Sequence, residues 1–104
     1  MNQLSSYQDY KKIIGCGVTL VDFSTPWCAP CRSQEPILER LVLYYEGKAT
    51  IASMNLDHSN ETAGELGIQS IPTLIIFKNG KEIQRFIGLQ SEDILMDALN
   101  KMLN

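Results

Sequence analysis

The chain is short of most of what a secreted, membrane-bound or nucleic-acid-binding protein depends on. It has three cysteines in 104 residues. That count is odd, and too small for the disulfide framework of a small secreted domain. A reducing compartment fits better, and a cytoplasmic location is the expectation. Histidine occurs once, and His58 reads as a solvated side chain in a loop. Positive charge is not in excess, with nine Lys and Arg against twelve Asp and Glu and a net charge of -3. Neither nucleic acid nor an anionic membrane surface is therefore an expected partner. No apolar run approaches the length of a membrane span. Lys11 and Lys12 ahead of residues 13–21 imitate the start of a signal peptide, and Ile13-Ile14-Gly15-Cys16 imitates a lipoprotein cleavage site. Yet only two apolar residues separate Lys12 from Cys16, where a signal carries ~7–15, so no leader is expected. Internal repeats, linkers and low-complexity segments are also missing. What remains is a length suited to one domain, residues 1–104, with 44% hydrophobic and 20% charged residues, a balance that supports a folded core rather than disorder.

Periodicity then divides the chain. Residues 1–5 are polar and read as a frayed end or a short edge strand. Ser6 caps a helix to about residue 14, with Tyr7, Tyr10, Ile13 and Ile14 at helical spacing, and Gly15 and Gly17 end it. Residues 18–23 are β-branched and almost continuously apolar, as a parallel strand covered on both faces requires. A long helix is expected from about Cys28 or Pro30 to residue 46. Its apolar face is Ile37, Leu38, Leu41, Val42 and Tyr45, with a kink at Pro36 and a stop at Gly47. Residues 49–56 and 71–77 are strands, separated by a short helix that Asn60 caps and that ends near Gly64 to Gly67. Asn79 and Gly80 specify a two-residue hairpin, since both tolerate positive φ, and 81–87 is the return strand. Gly88 breaks it. Ser91 caps a last helix with Ile94, Leu95, Ala98, Leu99 and Met102 on one face. The β-α-β portion requires parallel pairing with right-handed crossovers, and the hairpin adds an antiparallel edge. The expected class is α/β, a central mixed β-sheet flanked by helices on both faces.

The chemistry concentrates in residues 22–31, DFSTPWCAPC. Two cysteines two residues apart sit where a strand gives way to a helix. A thiol at a helix N-terminus meets unpaired N–H groups and the positive end of the dipole, which favour the nucleophilic thiolate. One helical turn brings the second sulfur to the first. The pattern predicts thiol–disulfide exchange. The rival for such a pair is half of a zinc site, but only Cys16 and His58 remain to complete four ligands, so no metal is expected. Asp22 interrupts an apolar strand just before the motif. A carboxyl buried there has a raised pKa and suits proton transfer with Cys31; the plainer reading is a strand-end Asp turned to solvent. Cys16 reads as a small buried hydrophobe at a helix–strand junction.

Taken together, Val21-Asp22-Phe23, Trp27-Cys28-Ala29-Pro30-Cys31, Pro36-Ile37-Leu38, Asn55-Leu56-Asp57, Gly67-Ile68, Ile71-Pro72-Thr73-Leu74 and Phe77-Lys78-Asn79-Gly80 resemble the thioredoxin family, over about residues 13–103. The resemblance implies a thioredoxin fold and a protein-disulfide reductase that needs no bound cofactor, because the sulfurs carry the electrons. It also implies an NADPH-dependent flavoprotein, a thioredoxin reductase, as the recycling partner, with protein disulfides as substrates and a monomer as the working form. Cys28, nearest the helix start and beside Trp27, is the expected nucleophile and should be partly exposed. Cys31 is the expected resolving thiol. Ala29 and Pro30 set the geometry of the pair, although Pro30 is also simply a good first-turn residue. A cis Ile71–Pro72 bond facing the cysteines is implied, its backbone able to pair with an extended substrate. Trp27, Ile71, Pro72, Gly88 and Leu89 then form a small apolar substrate patch; for Gly88 and Leu89, plain loop packing is the alternative.

Three positions depart from the family pattern. Ala29 stands where glycine is usual between the cysteines, Ser24 where an aromatic residue often follows the strand Asp, and Ser53 where a lysine usually lies near that Asp. Losing the lysine predicts a higher pKa for Asp22. An oxidase or isomerase on the same fold, and a binding module that uses the apolar patch without turnover, are the rival functions.

Overall fold

Val18–Ser24 forms the strand β2, which buries every residue except Ser24. A strand that apolar must lie inside a sheet, and β2 is the middle one of five. In this computed structural model, which describes residues 1–104 apart from the side chain of His58, the elements run β1 (Asn2–Leu4), α1 (Tyr7–Ile14), β2, α2 (Ala29–Tyr44), β3 (Thr50–Asn55), a 3₁₀ turn (Leu56–His58), α3 (Asn60–Leu66), β4 (Thr73–Lys78), β5 (Lys81–Ile87) and α4 (Glu92–Leu103). The reading of His58 as a solvated side chain lies outside the described residues. The sheet order is β1-β3-β2-β4-β5. β1 and β2 pair parallel to β3, while β4 pairs antiparallel to both β2 and β5. The expected mixed sheet is therefore the observed one.

Side chains alternate across a strand, and β2 divides the core accordingly. Val18 and Leu20 face one cluster, built with Leu38 and Leu41 of α2 and Leu95 and Leu99 of α4. Val21 and Phe23 face the other, built with Tyr10 and Ile14 of α1. Asp22 has the parity of Val18 and Leu20. It thus lies on the α2 side, at the strand end nearest the start of α2.

Several boundaries moved, each for a local reason. Ser59 rather than Asn60 takes the position before α3; it makes no side-chain cap bond, and its hydroxyl donates to the Asn55 carbonyl at 3.0 Å. The 3₁₀ turn was not foreseen; the Asn55 side chain nucleates it by accepting the Asp57 N–H at 2.9 Å. β4 starts at Thr73, after Pro72, which has no N–H to give a ladder. α2 ends at Tyr44, short of residue 46, with Pro36 inside it. Ser6 and Ser91 cap α1 and α4 as expected, accepting the Asp9 and Ile94 N–H groups. At the hairpin, Asn79 and Gly80 take φ of 51° and 88°.

Cys16 is exposed, not buried. It falls in the turn between Ile14 and Val18. There the Gly17 N–H donates to Asn79 Oδ1 at 2.8 Å, and the Asn79 N–H donates to the Gly17 carbonyl at 2.9 Å. The glycine takes φ of 75°, the backbone is pinned to the hairpin, and the turn carries the preceding thiol outward.

Candidate active site

Cys28 and Cys31 form a disulfide across the first turn of α2, with Cα atoms 5.2 Å apart. Cys28 is the N-cap: its backbone is extended, and its Sγ accepts the Cys31 N–H at 3.3 Å. The sulfur thus occupies the place a Ser or Asp oxygen takes in an ordinary cap. Ala29 and Pro30 follow in the first turn, both exposed. The expectation of a partly exposed Cys28 is not met. Cys28 and Cys31 are 7% and 5% exposed, because each sulfur is turned onto the other and onto the helix mouth. Trp27 is by contrast 68% exposed, and its indole N–H donates to Asp57 Oδ1 at 3.2 Å.

Asp22 lies behind the pair, 3% exposed, with Oδ1 buried and without a hydrogen-bond partner. Burial pushes its carboxyl up to about 7; the Ser24 hydroxyl pulls the other way, and the Glu35 carboxylate adds to the rise. The register explains its neighbours. Asp22 pairs with Ser53 on β3, and Ser53 pairs with Gln3 on β1, so three polar side chains form one row across the sheet. The Ser53 hydroxyl donates to Gln3 Oε1 at 2.9 Å. A neutral hydrogen-bonded pair thus stands where the resemblance would put a lysine. Asp22, Cys31, Glu35 and Ser53 all line one pocket of about 160 Å³.

On the other side of β2, the Ile71–Pro72 peptide is cis, the isomer that the resemblance implies. Pro72 is buried and Ile71 half-buried. The Pro72 carbonyl accepts the Gly88 N–H at 2.8 Å, so these two candidates are brought together. Gly88 takes φ of 90°, a region open to glycine, and Leu89 beside it is 49% exposed.

The loop carrying Gly88 is held by a residue the sequence reading passed over. Gln34, fully buried in α2, donates from Nε2 to the Gln90 carbonyl at 3.0 Å and accepts the Gln90 N–H on Oε1 at 2.7 Å. Its position was a usable signal, since 31, 34, 38 and 41 share one helical stripe and Gln34 is the polar member. Gln34→Ala removes both bonds and leaves the N–H and carbonyl of half-buried Gln90 unpaired. It should cost about 2 kcal/mol in urea unfolding and speed amide exchange at Gly88 and Gln90. Unchanged exchange there would mean the loop is held by other contacts.

The model of one family, Thioredoxin, matches residues 3–101. The chain belongs to the thioredoxin family. Thioredoxin from Staphylococcus aureus is 41% identical over 95 residues, covering 91% of each chain. Among solved structures, the thioredoxin of Malassezia sympodialis superposes with a TM-score of 0.90 at 28% identity, over 100% of this chain and 91% of that one. Plasmodium falciparum thioredoxin superposes with a TM-score of 0.88 at 25% identity, over 97% and 98% of the two chains. With its Trp-Cys-Ala-Pro-Cys pair closed as a disulfide, this member of the family is a thiol–disulfide oxidoreductase with protein-disulfide reductase activity. Family members act on protein substrates and are usually recycled by a thioredoxin reductase. Among the described residues, no helix is long and apolar enough to cross a membrane.

Proposed function

We propose that Cys28 is the attacking nucleophile and Cys31 the resolving thiol of a single-domain, cytoplasmic, monomeric disulfide reductase. The observation that carries the assignment is the N-cap position of Cys28. Its sulfur faces the open end of α2, where N–H groups and the helix dipole favour a thiolate once the pair is reduced. The Cys28 thiolate attacks a substrate disulfide and displaces one substrate sulfur, leaving a mixed disulfide. Cys31 then gives its proton to Asp22 and attacks the Cys28 sulfur. The bond from Cys28 to the second substrate sulfur breaks as the Cys28–Cys31 bond forms, and the protein is left two electrons poorer. A carboxyl titrating at about 7 is matched to a proton moving between thiol and water near neutral pH. Ala29 and Pro30 hold the first turn that sets the sulfur spacing.

Trp27, Ile71, Pro72 and Gly88 form the substrate surface, on which the backbone at Ile71 pairs with an extended peptide as an added strand. The recycling partner is an NADPH-dependent flavoprotein that uses the same face. An exposed free thiol at Cys16 supports a reducing compartment. The monomer is supported by the sheet edges: β1 is three residues long, and β5, although it exposes Ile83 and Ile87, intersperses them with Lys81, Glu82 and Arg85, charges that oppose edge pairing.

Equilibrating the pair in graded dithiol buffers, with free thiols counted by mass, tests the direction of flow. A potential at or below the cytosolic glutathione poise of ~−220 to −320 mV is the expected result. A value near ~−120 to −180 mV would make the protein an oxidant or isomerase instead.

A further inference from the structure

The pocket behind the disulfide lies on the β1–β3 side of β2, with Thr25 and Pro26 of the following loop also in its wall. Its strand walls are Gln3 of β1, Ser53 and Asn55 of β3, and Asp22 and Ser24 of β2. The substrate candidates Pro72 and Gly88 belong instead to the β4–β5 side of β2. None of Trp27, Ile71, Pro72 and Gly88 lines the pocket. A docked protein covering the disulfide from the Trp27 side therefore leaves this second opening free.

Two buried polar atoms without protein partners, Asp22 Oδ1 and Thr25 Oγ1, belong to residues that line it. A polar cavity of about 160 Å³ has room for several waters, each needing little more than ~10–15 Å³ of such space. The charged groups around it are few. From α2 come Cys31, Arg32 and Glu35, and Met1 also lines it. Gln3, Ser24, Thr25, Ser53 and Asn55 are neutral. The Arg32 guanidinium donates to the Pro26 carbonyl at 3.3 Å. Glu35 is exposed, one turn along α2 from Cys31, and is the carboxylate that joins this pocket to solvent.

We propose that Glu35 is the outer station of a two-carboxylate proton path, Cys31 to Asp22 to Glu35, which leaves through this pocket while the substrate occupies the opposite face. The inference rests on Asp22 being the base for Cys31. In the resolving step the Cys31 S–H bond breaks and its proton passes to Asp22. The Cys31–Cys28 bond forms as the substrate sulfur departs with the bonding electron pair. Asp22 then hands its proton through pocket water to Glu35 and bulk solvent, and the departing thiolate takes a proton from solvent on its own side. No external oxidant is required, because the two electrons go to the substrate disulfide. Glu35 acts through Asp22. It is a positioning residue with a second effect: its negative charge opposes ionisation of Asp22 and keeps that carboxyl basic enough to accept from a thiol.

The test is the resolving step alone. Reduced protein is mixed with a protein disulfide, and decay of the mixed disulfide is followed across pH by rapid acid quench and mass. Asp22 is titrated in parallel by carboxyl-carbon NMR. Asp22→Asn should slow decay by roughly a hundredfold and flatten its pH profile, within the range a general base supplies. Glu35→Gln should slow decay near neutral pH by about tenfold and move the Asp22 titration to lower pH. Glu35→Asp should restore both. The Asp22→Asn, Glu35→Gln double variant should be no slower than Asp22→Asn alone. Wild-type decay and an unmoved Asp22 titration in Glu35→Gln, with Asp22→Asn still slow, overturn the Glu35 path and leave the role of Asp22 standing. Wild-type decay in Asp22→Asn overturns both.

Discussion

Cys28→Ser is expected to lose all turnover of protein disulfides, down to the background rate of the dithiol in the assay. A serine hydroxyl at the helix mouth is not ionised near neutral pH, and the sulfur that remains, Cys31, lies inside the first turn rather than at the N-cap. Cys31→Ser should also lose turnover, but by a different route. Cys28 would still attack, no resolving thiol would follow, and a covalent mixed disulfide would accumulate at Cys28. Intact-mass measurement against a disulfide-bonded protein separates the two, since the adduct should be present in Cys31→Ser and missing in Cys28→Ser. Because Cys16 is an exposed thiol, both variants belong in a Cys16→Ser background, which by itself should turn over at the wild-type rate. An adduct that forms in Cys28→Ser rather than in Cys31→Ser would reverse the roles of the two sulfurs.

Asp22→Asn should stabilise the oxidised protein by as much as about 4 kcal/mol above about pH 8, and by almost nothing below about pH 4. The carboxyl titrates at 3.8 in an open chain and at about 7 when folded. Between those values the folded protein keeps a proton that the unfolded chain has released, so stability falls as pH rises through this window and the full penalty persists above it. A separation of about three pH units at ~1.4 kcal/mol per unit sets the upper bound. Urea unfolding at the two pH extremes reads it directly, and an equal gain at both would show that the charge of Asp22 is not the cause. Ser53→Lys is the complementary variant. It puts a cation beside Asp22 on the paired strand, and should draw the Asp22 titration to lower pH. An unmoved titration in that variant would sink the idea that the missing lysine matters. On the proposed role of Asp22 as the base for Cys31, its burial is stability given up for function.

The order of elements could be read along the chain because each depends on its own neighbourhood. Ser6 and Ser91 cap helices with hydroxyls that bond three residues ahead. Asn79 and Gly80 accept positive φ, and residues 18–23 are too apolar for an edge. The reactive pair was equally legible, since the distance between Cys28 and Cys31 is set by one helical turn. Cys16 went the other way. Its exposure follows from the bonds between Gly17 and Asn79, sixty-two residues apart, and no local pattern carries that. Cys28 was misjudged for a related reason: how far a sulfur is covered depends on what it bonds to, not on its place beside an exposed tryptophan.

The sequence by itself determined a mixed α/β chain with a dithiol at the mouth of its long helix, and a carboxylate in the strand before it. These follow from periodicity, capping and spacing, all of which act over one or two turns. The tertiary structure decided the surroundings of that dithiol. Strand register set Asp22, Ser53 and Gln3 in one row. Packing of α2 over the end of β2 gave Asp22 and Glu35 a common pocket. Burial of Gln34 tied α2 to Gln90 and so fixed the loop that holds Gly88. Each of these joins residues that the chain keeps apart, and only closure of the sheet, driven by burial of both faces of β2, brings them within reach.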